Sequence, residues 1–83
     1  MSAVLKAQAA DLEWIPVDSS NLAAVAYAAD FRRLFVRFKN GNTYAYEDVH
    51  EGIYQQMLMA PSKGKFLHEA IKRGSQYVYT RVS

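Results

Sequence analysis

Arg33-Leu34-Phe35-Val36-Arg37-Phe38-Lys39, followed by Asn40-Gly41-Asn42 and then Thr43-Tyr44-Ala45-Tyr46-Glu47, decides the fold of this chain. In the first seven residues Leu34, Val36 and Phe38 fall on one side. Arg33, Phe35, Arg37 and Lys39 fall on the other. A period of two over this length marks a half-buried strand, because successive side chains of an extended backbone point to opposite faces. Asn40-Gly41 is a strong hairpin signal, since both residues tolerate the positive φ of a type I′ turn. Residues 43–47 are then the return strand, with Tyr44 and Tyr46 on one face.

Upstream, Leu22-Ala23-Ala24-Val25-Ala26-Tyr27-Ala28 fits a helix or a strand. The hairpin that follows favours a strand, with Val25 and Tyr27 on one face and a turn near residues 29–32. Asp18-Ser19-Ser20-Asn21 precedes it, four residues that each bond their own backbone and so punctuate the chain. Pro16 holds Ile15 extended, and Trp14 and Ile15 are expected to anchor this irregular segment to the core. Residues 1–13 are alanine-rich and helical in propensity, and read either as a loose helix or as a tail ahead of a domain spanning 14–83.

Downstream, Asp48 and Glu51 have capping-box spacing. Ile53, Tyr54, Met57 and Leu58 follow at helical intervals over residues 50–59. Ala60-Pro61 ends that helix. Ser62 caps a second, with Phe66, Leu67, Ala70 and Ile71 as its inner face. Lys72 and Arg73 suit the negative end of the helix dipole, and Gly74 supplies a left-handed terminator. Residues 76–82 alternate again, with Tyr77, Tyr79 and Arg81 on one face. The expected fold is α+β: a three-stranded antiparallel meander, a two-helix hairpin and a C-terminal strand.

Eighty-three residues make one small domain. Half of them are hydrophobic (51%) and 22% are charged, a globular rather than a disordered composition. With no cysteine, a disulfide framework and thiolate metal sites are excluded. No run reaches the roughly 18 apolar residues of a membrane span, and no basic start with an apolar block marks a secretory signal, so a cytoplasmic location is expected. The net charge is +2, but it is uneven. Residues 1–49 hold five cations against six anions, and residues 50–83 hold five cations against two. That permits a polyanionic partner without requiring one.

Four pieces of the chain resemble the KTSC domain: Val17-Asp18-Ser19-Ser20-Asn21, the hairpin Phe38-Lys39-Asn40-Gly41, Tyr44-Ala45-Tyr46, and Ser62-Lys63-Gly64-Lys65-Phe66. Tyr77-Val78-Tyr79 adds to the likeness, which covers residues 15–82. The family takes its name from an extension of some lysyl-tRNA synthetases, and it also occurs as short stand-alone bacterial and phage proteins. The resemblance implies a non-enzymatic module without a cofactor, and that synthetase setting implies RNA as a ligand by analogy. His68 stands where the family has an asparagine, and Leu67 replaces the second aromatic of a pair.

Each candidate feature has a structural and a functional reading. Ser62-Lys63-Gly64-Lys65 is either a capped helix with solvated lysines or an anion site at a helix start. It lacks the glycine spacing of a P-loop. The strand tyrosines either cover a small core or form a base-stacking face. Phe35, set between arginines, lies either under the amino-terminal segment or on a binding surface. His50 and His68 lack the companions of a metal site, and Ser19-Ser20 lack a base–orienter set. A nucleic-acid surface would draw on Lys63, Gly64, Lys65, Lys72, Arg73 and Arg81, joined by Arg33 and Arg37 if these reach the same face. The other expected partner is a larger protein complex, such as a nucleic-acid-processing machine on which the module docks. No membrane partner is expected.

Overall fold

The computed structural model describes residues 12–72 and 77–82. It shows an α+β domain: five antiparallel strands in one sheet and two helices. The strands are β1 (Ile15–Pro16), β2 (Leu22–Ala28), β3 (Arg33–Phe38), β4 (Thr43–Tyr46) and β5 (Tyr79–Arg81), and spatial order follows sequence order. The helices are α1 (Glu51–Met59) and α2 (Lys63–Phe66), the latter running on as a π-helical segment over Leu67–Lys72. Among the described residues no helix is long and apolar enough to cross a membrane.

The alternation in β3 divides the molecule into two cores. Leu34 and Val36 face the helices, beside Val25 of β2 and Tyr46 of β4. Tyr54 and Met57 of α1 close over them, as do Leu67 and Ile71 of the second helical run. Burying each such aliphatic side chain contributes about 1.5–3 kcal/mol. Tyr27 ties β2 to the entry of α1: its hydroxyl donates to the Val49 carbonyl, and its ring stacks on Tyr54 at 4.9 Å and 13°.

Phe35 points to the other face and is also buried. Its cross-strand partners are Ala26 and Ala45, whose small side chains leave room for the ring. Trp14 lies over it edge-on, with centroids 6.3 Å apart at 71°. Arg37 covers Trp14 in turn, its guanidinium carbon 4.1 Å from the ring centroid. Phe35 is therefore part of a second small core beneath the chain before β1, and not part of an open surface.

Several local expectations are corrected. The segment at Pro16 forms a true edge strand, with Ile15 opposite Val25. In β2 the register slips between Leu22 and Ala24, so that Leu22 and Val25, three residues apart, both reach the helix-side core. The β3–β4 turn is not type I′, because Gly41 alone takes positive φ (97°) and Asn40 does not. The Gly41 amide donates to Phe38 O at 3.0 Å and the Phe38 amide to Asn42 O at 2.8 Å, the pattern of a longer turn with a glycine bulge. The Asp48 capping box does not form. Asp48 itself is left-handed (φ 58°) and faces Arg32 at 3.8 Å, and the residue before α1 is His50, whose side chain makes no cap bond. The last strand begins at Tyr79, with Tyr77 and Val78 outside it. Gly74 and residues 1–11 lie outside the described residues, and nothing in the structure tests a boundary at residue 13.

Candidate functional site

At one end of the sheet, the start of β2, the end of β3 and the start of α2 meet. The Ser19 hydroxyl accepts the amides of Asn21 and Leu22, both at 3.2 Å, which fixes the tight approach to β2. The Lys39 amide donates to the Asn21 carbonyl at 2.8 Å, clamping the end of β3 beside it. The Ser62 hydroxyl accepts the Lys65 amide at 3.3 Å, as a helix cap should.

Two adjoining hollows open there. One, of ≈ 290 Å³, lies between Asn21, Leu22 and Phe38 on the sheet and Gly64, Lys65, Leu67 and His68 on the helix. The other, of ≈ 300 Å³, lies between Ser20, Asn21, Phe38, Lys39 and Asn40. They share Asn21 and Phe38 and so form one groove. Its lining carries Lys39, Lys65, His68, two asparagines and no carboxylate. Each hollow sits at the lower limit of a small-molecule pocket and is more polar than such pockets usually are.

Gly64 borders the groove opposite Ser19. A Cβ built on it would sit 3.4 Å from the Ser19 hydroxyl, an ordinary contact, and its φ is not left-handed. The chain's own packing therefore does not demand glycine here. Gly64→Ala is expected to leave thermal stability unchanged or raise it by up to about 1 kcal/mol, as glycine in a helical turn costs entropy. A calorimetric melt checks this; a drop of that size would show that the fold requires the glycine.

The candidate cations separate into groups. Lys65 lines the groove. Lys63 instead donates from Nζ to Ala60 O at 2.8 Å, bonding the last turn before α2. Arg81 shares the helix-side face of the sheet with Tyr44, and its Nη2 donates to Asn42 Oδ1 at 3.0 Å, at the same sheet end as the groove. Arg33 and Arg37 lie on the opposite face, so they do not join the lysines. Arg33 is paired with Glu47, Nε to the two carboxylate oxygens at 2.9 and 2.8 Å, and Arg37 covers Trp14. Lys72 ends the helical run, and Arg73 lies outside the described residues.

Asn21, Phe38, Lys39, Asn40 and His68 were not among the site residues read from the sequence, yet they line the groove. The available signal was the co-occurrence of three short stretches, 17–21, 38–41 and 62–66, which converge on this one place. Among the described residues no group of three or more His, Asp or Glu side chains is placed to hold a metal ion.

The comparisons agree on the module. A family model for the KTSC domain matches residues 18–77. A protein of Tsukamurella paurometabola is 35% identical over 57 residues, covering 69% of this chain and 85% of that protein. The crystal structure of a KTSC domain protein from Yersinia pestis is similar with a TM-score of 0.78 and 30% identity. That likeness spans 87% of this chain and 99% of the other.

Proposed function

We propose that this chain, which belongs to the KTSC domain family, is a small non-catalytic module that binds the backbone of single-stranded nucleic acid, RNA foremost, in the groove between β2, β3 and α2. The observation that carries the reading is the groove's composition: Lys65 in one hollow and Lys39 in the other, Asn21 and Asn40 as neutral hydrogen-bonding groups, Phe38 common to both, and no carboxylate in the lining. Lysines supply phosphate contacts, and asparagine amides bond sugar hydroxyls or base edges. Ser19, the nearest candidate nucleophile, already accepts two backbone amides, which supports binding over chemistry.

The test is an amide chemical-shift titration with a single-stranded RNA oligonucleotide. Shifts are expected at Asn21, Phe38–Asn40 and Gly64–His68. With two to three phosphate contacts, affinity should fall about tenfold between 50 and 200 mM salt. Lys39→Glu combined with Lys65→Glu should weaken binding at least about tenfold. Arg33→Gln, altering a residue on the other face, should leave affinity unchanged. Absence of shifts at low salt, or a double variant that binds like the parent, would falsify the reading.

A further inference from the structure

Five large apolar side chains stand exposed among the described residues, and three of them, Val78 (71%), Tyr79 (61%) and Val82 (49%), lie on or beside β5. This strand is one edge of the sheet. The opposite edge, β1, is two residues long and contains Pro16, a common protection against edge pairing. β5 contains no proline.

The direction of its backbone groups follows from its pairing with β4. The Val82 amide donates to Thr43 O and the Glu47 amide to Val78 O, both at 2.8 Å. In an antiparallel ladder the bonded positions alternate. Val78, Thr80 and Val82 therefore turn toward β4, and the backbone groups of Tyr79 and Arg81 are directed toward the outer edge.

The side chains along this edge are self-complementary. In Val78-Tyr79-Thr80-Arg81-Val82, an antiparallel copy placed with Thr80 opposite Thr80 brings Tyr79 opposite Arg81 and Val78 opposite Val82, each twice. The pairs are threonine on threonine, valine on valine, and tyrosine beside arginine, all favourable cross-strand combinations, with no like charges opposed. The same register sets the outward backbone groups of Tyr79 against those of Arg81 in the other copy. Arg81 keeps its bond to Asn42 throughout, because that bond runs toward the β3–β4 turn.

We propose that this edge binds a second copy of the chain, β5 antiparallel to β5 about a two-fold axis at Thr80, to make one continuous sheet. Such an interface is isologous and closes on itself. It is smaller than a standard stable interface, so the dimer should form only at high protein concentration, on the order of 0.1–1 mM. The groove lies on other elements, and this inference does not depend on what the groove binds.

Sedimentation equilibrium of the full chain from about 20 μM to about 2 mM is expected to show monomer and dimer in exchange, a range set by the small interface. The Tyr79 amide should gain protection from hydrogen exchange as concentration rises. Val78→Lys with Val82→Lys opposes lysine to lysine twice and should weaken the dimer by about tenfold or more. Val78→Glu with Val82→Lys opposes glutamate to lysine twice in this register and should restore it. Both positions are exposed, so circular dichroism should show an unchanged fold. A chain that stays monomeric throughout leaves the edge to some other partner and overturns the proposal. A double-lysine variant that dimerises like the parent overturns it, and so does a glutamate–lysine variant that fails to recover.

Discussion

Leu34→Ala is expected to remove about 3–5 kcal/mol of stability, the upper part of the range for truncating a buried leucine. Leu34 is fully buried on β3, the middle strand of the sheet, with Tyr27 opposite it on β2 and Tyr46 on β4. Its neighbours cannot easily move into the void. Tyr27 is held by the bond to Val49 O and by its stack on Tyr54, and Tyr46 lies against Tyr79 with ring centroids 5.7 Å apart. A cavity that cannot collapse retains its full cost. A domain of this length has a total stability of about 4–12 kcal/mol, so this one change removes a large share. Guanidinium denaturation is the measurement: the midpoint should drop with the slope unchanged. Leu34→Ile, which conserves volume, should cost less than about 1.5 kcal/mol. A loss below about 1 kcal/mol for the alanine variant would show that the core repacks around this position.

What could be read from the sequence was local. The alternation over residues 33–39 places Leu34 and Val36 inside correctly, because a period of two has one geometric meaning. Ser62 as the cap of the second helix is equally local, since the hydroxyl and the amide it accepts are three residues apart. Phe35 is ambiguous in the sequence because its cover, Trp14, comes from the chain just before a two-residue edge strand that neither composition nor periodicity marks. The slip at Leu22–Ala24 hides the strand period of β2, which is why its alanines fit a helix equally well. Asp48 misled because it sits at capping-box spacing while its backbone is left-handed and its carboxylate faces Arg32.

The candidate site was legible in pieces and not as a whole. Its walls come from stretches some twenty residues apart, and the contacts joining them, Lys39 amide to Asn21 carbonyl and Gly64 against Ser19, follow from sheet register and helix placement. Charge alone gathers cations that do not all share a face. Arg33 and Arg37 are cations, but the period that buries Leu34 and Val36 also turns both arginines to the far face, where Glu47 and Trp14 engage them. Lys39, the residue after that strand, enters the groove because the chain leaves β3 at Phe38 and turns there.

Raising the pH through the tyrosine range is expected to cost the fold about 2–3 kcal/mol through Tyr46 alone. Its ring is 3% exposed. Burial pushes its hydroxyl pKa up to about 12, with Tyr79 and Tyr44 beside it adding to the effect. In the unfolded chain the same hydroxyl ionises near 10. The folded state therefore holds the proton more tightly. That advantage is fully present below pH 10 and is lost as the pH rises from about 10 to about 12. Tyr54 and Tyr27 are also shifted upward, mainly by burial, and act in the same direction. Urea denaturation at a series of pH values from 8 to about 11.5 should show stability level at first and then falling, within the window these ionisations set. Tyr46→Phe keeps the ring in the core and removes the ionisable group, so its alkaline decline should be shallower by about 2 kcal/mol. Parallel declines in the parent and the phenylalanine variant would show that Tyr46 ionises in the folded state as readily as in water. That outcome would mean water reaches the hydroxyl, and that the sheet near β5 opens well before the domain unfolds.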